Sequence, residues 1–455
     1  MSRPAGAVRP GARPVTLELA TFTVDEVVVG NTDCYRDGRL EVDARALRAL
    51  VRDVSDAFED VAVNVVRPGD DARIIHAIDV VEPRARLAEP GSDFPGLLGR
   101  QATVGSGRTH RLGGLVVTTA GEPAPGEPTY WREAVVDASG PGAIYSPLSS
   151  LTHLVVTLKP DPRAFPDHDP AESLDVFQGT AAAIAYNRAA RIAGLRVATY
   201  LAALTRDQQP DAVACYELSP VASRRDLPRV VYLFQMTCPY FYGQLWPREG
   251  SVGGTAPPPT LIHPNEVLDG ALVNAYAMIA CIRDCTYFLQ THAVIEELYR
   301  RHGTELDFRG VVIYTNGDSI ASKGRIVNHA VSLAHLLGAE GAVLNYQGGG
   351  NPEVDVMLAC QQLEARGIRT ALLLPELGGG QGDSPFIHFV PEADAIVSLG
   401  SYEQTVQLGP VARVVGGARL LEGDEDASGP LQLSLRYLLG ATIPYGQHVL
   451  RGVEY

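Results

Sequence analysis

From Val311 onward the chain alternates short, continuously apolar runs with helical patterns, and that alternation restricts its second half to helices packed around a parallel sheet. The runs are Val311 to Tyr314, Ala342 to Asn345, Thr370 to Leu374 and Ala395 to Leu399. The spacing of apolar residues predicts helices over 322–337 and 351–366 between them. A strand of a parallel sheet is buried on both faces, so it lacks the in-and-out alternation of a half-exposed strand. Such a sheet takes ligands beyond the carboxyl ends of its strands, where loops run into helix N-termini.

Three loops at those ends are rich in small polar residues: Thr315 to Ser319, Gln347 to Pro352, and Pro375 to Ser384. In the second, Asn351 is expected to cap the helix, with Pro352 in its first turn and backbone N–H groups near the glycines free for an anion or carboxylate. The same glycines would also be present if they only made tight turns, and both readings stay open. Without a GxGxxG fingerprint followed by an acidic residue, dinucleotide binding ranks below either. Asn316, Gly350, Asn351 and Asp355 are the substrate-binding candidates here.

Before Lys159 the runs are mostly β-like: Val61 to Val66, Ile74 to Val81, Gly114 to Thr119 and Leu154 to Leu158, with one helix near 42–58. An Ala-rich stretch from Ser173 to Thr205 has helical spacing, and Asp175 near its start suits the positive end of a helix dipole. The fold class is therefore α/β and α+β, a β-rich N-terminal half followed by a parallel-sheet βαβ domain. The expected divisions are a flexible leader over 1–14, a β-rich α+β domain over 15–160, a helical and connecting region over 161–258, and the α/β domain over 259–455.

A net charge of −15 over 455 residues, with no basic stripe, gives nucleic-acid binding little support. No apolar run reaches the ~18 residues that span a bilayer, so no membrane partner is expected and the expected location is the cytoplasm. Six cysteines scattered through a long chain read as reduced thiols, and without C-x-x-C no metal site is expected. Arg108 and His110 share a Gly/Ser loop: Arg108 has the fork to hold a carboxylate, and His110 the chemistry to titrate near neutrality. Each residue type also serves, more often, as a structural hydrogen-bonding group.

Several segments together resemble one family, the precursor of the alpha and beta subunits of component B of glycine, sarcosine and betaine reductases. They are IIHAIDVVEPR at 74–84, TVGSGRTH at 103–110, DASGPGAIYSP at 137–147, TLIHPNEVLDGALV at 260–273, VIEELYRRHG at 294–303 and GNPEVDVMLAC at 350–360, in order along nearly the whole chain after Val15. The resemblance implies an oxidoreductase complex subunit that binds a small amine or betaine and passes its carbon fragment to a thiol or selenol. That group would sit on a partner, a second component B-like subunit with a redox cysteine or selenocysteine.

The family's precursor is cut before a cysteine whose remnant becomes a pyruvoyl group, which requires a thiolate to attack the preceding carbonyl. Here the corresponding position is Ala277, which has no nucleophile, so neither self-processing nor a pyruvoyl group is expected. Cys281 and Cys285 follow at helical spacing and remain catalytic candidates: either they share one helix face as small hydrophobes, or one has taken over processing in a strained turn. A non-catalytic scaffold or binding subunit is the competing class of function.

Overall fold

The computed structural model describes residues 15–87, 91–129, 132–165, 179–218, 226–237, 239–247, 256–276, 278–279, 282–378 and 386–445. It has the mixed α/β and α+β character expected. The expected leader lies outside the described residues, as do Asp175, Ala277 and Cys281.

Two four-stranded sheets build the first half. One runs Ala212–Glu217, Thr16–Thr23, Gly107–Gly113, Arg84–Arg86, and the other Phe58–Val66, Thr152–Pro160, Leu115–Gly121, Ala77–Val81. The stretch read as one strand from Ile74 to Val81 is two, because His76 turns the backbone with φ of +55°. The Ala-rich helix spans Ala181–Ala203 and is capped by Thr180, whose hydroxyl accepts from the Ala183 amide. It buries Ala183, Tyr186, Ala190, Ala193, Gly194, Val197, Ala198 and Leu201, a stripe with the period of a helix. Gly194 is needed for the close approach: a Cβ there would lie 2.2 Å from the Thr119 hydroxyl.

The second half is a six-stranded sheet in the order Thr260–Ile262, Asp307–Tyr314, Arg229–Gln235, Gly341–Tyr346, Arg369–Glu376, Ile396–Ser401, parallel except for the first strand. The four expected runs after Val311 are strands, and the two helices between them are Ile320–Leu336 and Asn351–Glu364. Arg229–Gln235 comes from the stretch read as connecting, yet it lies in the middle of the sheet. Its Val231 and Leu233 pack with the two helices, whereas Tyr232 and Phe234 face the first half and share a core with Leu17, Ile74, Val80 and Phe288.

Buried polar residues lock the halves together. Arg86 pairs with Asp269, which also accepts from the Gly105 amide and the Thr109 hydroxyl, and Arg84 binds Glu82 and the Gln290 carbonyl. Three of the sequence segments that carried the family resemblance, 74–84, 103–110 and 260–273, supply Glu82, Arg84, Gly105, Thr109 and Asp269. The C-terminal arm returns to the first half, where Arg413–Val415 pairs with Ala72–Ile74. Beneath it Arg73, fully buried, donates to both oxygens of Asp137 (2.6 and 3.0 Å) and to the carbonyls of Gly409, Ala427 and Gly429.

Candidate functional site

The carboxyl ends of the parallel strands bring the loops 315–319 and 347–350 side by side. Gly317 donates its amide to Asp355, Lys323 forms a buried ion pair with Asp355 and also donates to the Asn351 carbonyl, and the Asn351 side chain donates to the Gly317 carbonyl at 3.3 Å. Asn316, Gly350, Asn351 and Asp355 are thus brought together. Burial raises the Asp355 carboxyl above its ordinary range, opposed by Lys323 beside it. Asn351 is not the helix cap expected from sequence. Gly350 takes that position with φ of +74°, a backbone that glycine adopts without strain, and the Asn351 amide is turned to the neighbouring loop instead.

Beside this edge lies the stretch for which the spacing of Cys281 and Cys285 allows either a shared helix face or a strained turn. It is a β-hairpin: Met278–Ile279 pairs with Ile282–Arg283, and Cys285 is the extended residue before the short helix Thr286–Gln290. Cys285 therefore does not continue a helix from 281. Residues four apart fit a helix, but the backbone register pairs 279 with 282 and the strand pairing prevails. Tyr276 and Ile282 pack with Leu377 and Tyr402, which follow the last two strands of the large sheet.

Asp284 fixes the end of this hairpin. Its fully buried carboxylate accepts from Gln347 Nε2 (2.7 Å), from the Tyr445 hydroxyl (2.7 Å) and from the Cys285 amide (2.7 Å). Burial pushes its pKa up to about 6 against the pull of those donors. Asp79, which accepts from the amide and hydroxyl of Thr286, is likewise pushed up to about 6 by burial, with Arg191 nearby opposing. Burial first, and then these two carboxylates, push the Cys285 thiol well above its ordinary range. A buried thiol held in its protonated form is a poor nucleophile. In the native protein iodoacetamide at neutral pH is therefore expected to label the exposed Cys34 and Cys215 and to spare the buried Cys285 and Cys360. Peptide mass mapping reads this, and rapid labelling of Cys285 would contradict the burial argument.

Arg108 and His110 sit elsewhere, on the strand Gly107–Gly113. Arg108 is half exposed and pairs with Glu18 at 2.7 Å. His110 is buried against Phe22, its Nδ1 2.9 Å from the Thr205 hydroxyl, and burial lowers its pKa. Their partners belong to the first half, and neither residue is joined to the loops of the large sheet by a described contact.

Sequence reasoning passed over Asp79, Asp284, Gln235, Lys323 and Tyr445. The first two had a signal, an acid embedded in an apolar run. Among the described residues no group of His, Cys, Asp and Glu could hold a metal ion, and no helix is long and apolar enough to cross a membrane.

Comparison with known proteins gives a match along most of the chain. The family of glycine/sarcosine/betaine reductase component B subunits matches residues 15–437. The sarcosine reductase complex component B subunit alpha of Peptoclostridium acidaminophilum is 30% identical, over 96% of this chain and 100% of that protein. The betaine reductase complex component B subunit alpha of the same organism is 31% identical over 90% and 89%. The glycine reductase complex component B subunits alpha and beta of Acetoanaerobium sticklandii are 29% identical over 96% and 100%. No solved structure matches the chain.

Proposed function

The chain belongs to the family of glycine/sarcosine/betaine reductase component B subunits, and on that premise we propose that it is the substrate-binding subunit of such a reductase complex and works as an uncut polypeptide. It takes a small amine or betaine at the carboxyl edge of the large sheet and hands the carbon fragment to a thiol or selenol on a partner subunit. The observation that carries this reading is the anchoring of Asp284 by Gln347 and Tyr445. It ties the residue after the strand Ile282–Arg283 to the edge where open α/β sheets receive ligands.

Neither Ala277 nor Cys285 suits a pyruvoyl group, and Cys281 lies outside the described residues. Position 277 is alanine, and Cys285 is buried with its thiol held protonated. A scaffold subunit that only holds a catalytic partner is the second reading, favoured by the same alanine.

Intact mass under denaturing conditions is expected to show one chain of 48.6 kDa that does not react with hydrazine. Two fragments of about 30 and 19 kDa, at ~0.11 kDa per residue, would refute the uncut form. The native complex, isolated through this chain and given a dithiol reductant, is expected to release amine from glycine, sarcosine or betaine. Amine release from none of the three leaves only the scaffold reading.

A further inference from the structure

Two carboxamides at the end of the central strand and its neighbour are used very differently. Gln347 is fully engaged: its Oε1 accepts from the Thr237 amide and its Nε2 donates to Asp284. Gln235, whose carbonyl accepts from the Gln347 amide, is completely buried with neither amide atom bonded among the described residues. The register sets Gln235 between Tyr314 and Tyr346, on the face covered by the helices 320–336 and 351–364. Among the described residues the Tyr314 hydroxyl is also without a partner, and so is Asn316 Oδ1 two residues later, both in buried side chains. Native proteins seldom keep buried polar groups that have given up water for nothing. Three such groups at the ends of two adjacent strands mark a place where a further molecule supplies the partners.

Their chemistry restricts that molecule. Gln235 Nε2 and the Tyr314 hydroxyl donate, whereas Gln235 Oε1 and Asn316 Oδ1 accept. Of the charged groups nearby, Lys323 and Asp355 neutralise each other, and burial shifts the Glu353 carboxyl beside Tyr346 toward its neutral form. A neutral lining with both donors and acceptors complements a small molecule that carries both signs and no net charge, its carboxylate toward the donors and its N–H groups toward the acceptors. The place also fits, because the chain leaves Arg229–Gln235 and Asp307–Tyr314 toward opposite faces of the sheet. That divergence opens the crevice in which α/β folds bind ligands.

We propose that Gln235, Tyr314 and Asn316 form a subsite for a zwitterionic amino acid that prefers a primary or secondary amine to a quaternary one. The proposal rests on the reading that this chain binds a member of the glycine, sarcosine and betaine class, and narrows it. Glycine and sarcosine have N–H groups for the two acceptors, and betaine has none. All three side chains are buried, so a ligand gains access only as neighbouring loops move.

Titration calorimetry of the full chain with glycine, sarcosine and betaine tests this, with wild type and Gln235→Leu compared. Wild type is expected to bind glycine and sarcosine about tenfold or more tighter than betaine, and Gln235→Leu to weaken both by about ten- to a hundredfold. Because the carboxamide has no partner among the described residues, Gln235→Leu is also expected to keep or raise the melting temperature, which a structural carboxamide would not allow. Unchanged affinity in Gln235→Leu, a lowered melting temperature, or betaine binding as tightly as glycine would each overturn the subsite while leaving the substrate class intact. Binding of none of the three by wild type overturns the class reading and the subsite with it.

Discussion

Arg73→Met is expected to cost about 3–5 kcal/mol of stability, the range for removing one partner of a buried ion pair. All five guanidinium N–H donors are used, two on Asp137 and three on carbonyls of the C-terminal arm. Methionine fills much of the volume and satisfies none of these acceptors, so a carboxylate and three carbonyls are left buried without donors. The loss falls first on the arm, because Gly409, Ala427 and Gly429 are held to the first half by this one side chain. Urea unfolding together with limited proteolysis reads both effects, the expected result being a lower midpoint and early cleavage between 405 and 437. The double variant with Asp137→Leu removes the stranded charge and should recover part of the loss. A midpoint indistinguishable from wild type in Arg73→Met would refute the account.

Asp284→Asn is expected to reverse part of a pH dependence. An acid raised in the folded state to about 6, from an ordinary 3.8, binds its proton more tightly folded than unfolded. Its penalty is absent below about pH 4, grows as the pH rises from 4 to 6, and is constant above. Two units at ~1.4 kcal/mol each set an upper bound near 3 kcal/mol, reduced by coupling to Asp79, which titrates in the same range. The variant does not titrate, so its stability relative to wild type should rise by about 1–3 kcal/mol between pH 4.5 and 7.5. Chemical denaturation at the two pH values measures it. A difference that stays flat would mean that Gln347, Tyr445 and the Cys285 amide already hold the carboxyl fully ionised.

The second half was legible because each strand there buries both faces and each helix repeats at its own period, which are local properties of five or more consecutive residues. Arg229–Gln235 has the same local character in RVVYLFQ, but its place between 307–314 and 341–346 depends on pairings about 80 and 110 residues away by chain count, which no local pattern encodes. The pairing of 278–279 with 282–283 is not legible locally, because the spacing of Cys281 and Cys285 also fits a helix and tertiary context decides. At the site, polar loop composition pointed to Asn316, Asn351 and Asp355. The polar atoms left unbonded inside the fold, such as the Gln235 carboxamide, are visible only once their neighbours are in place.

The strand order of the large sheet bears on what scission would mean in such a chain. A break near position 277 would leave Arg229–Gln235 and Thr260–Ile262 on one piece and the other four strands on the second, interdigitated in a single sheet, with Arg413–Val415 still zipped to Ala72–Ile74. The products would be co-folded halves of one body rather than separable proteins. They would elute as one particle from a sizing column and part only in denaturant, so two gene-product names can describe one indivisible fold.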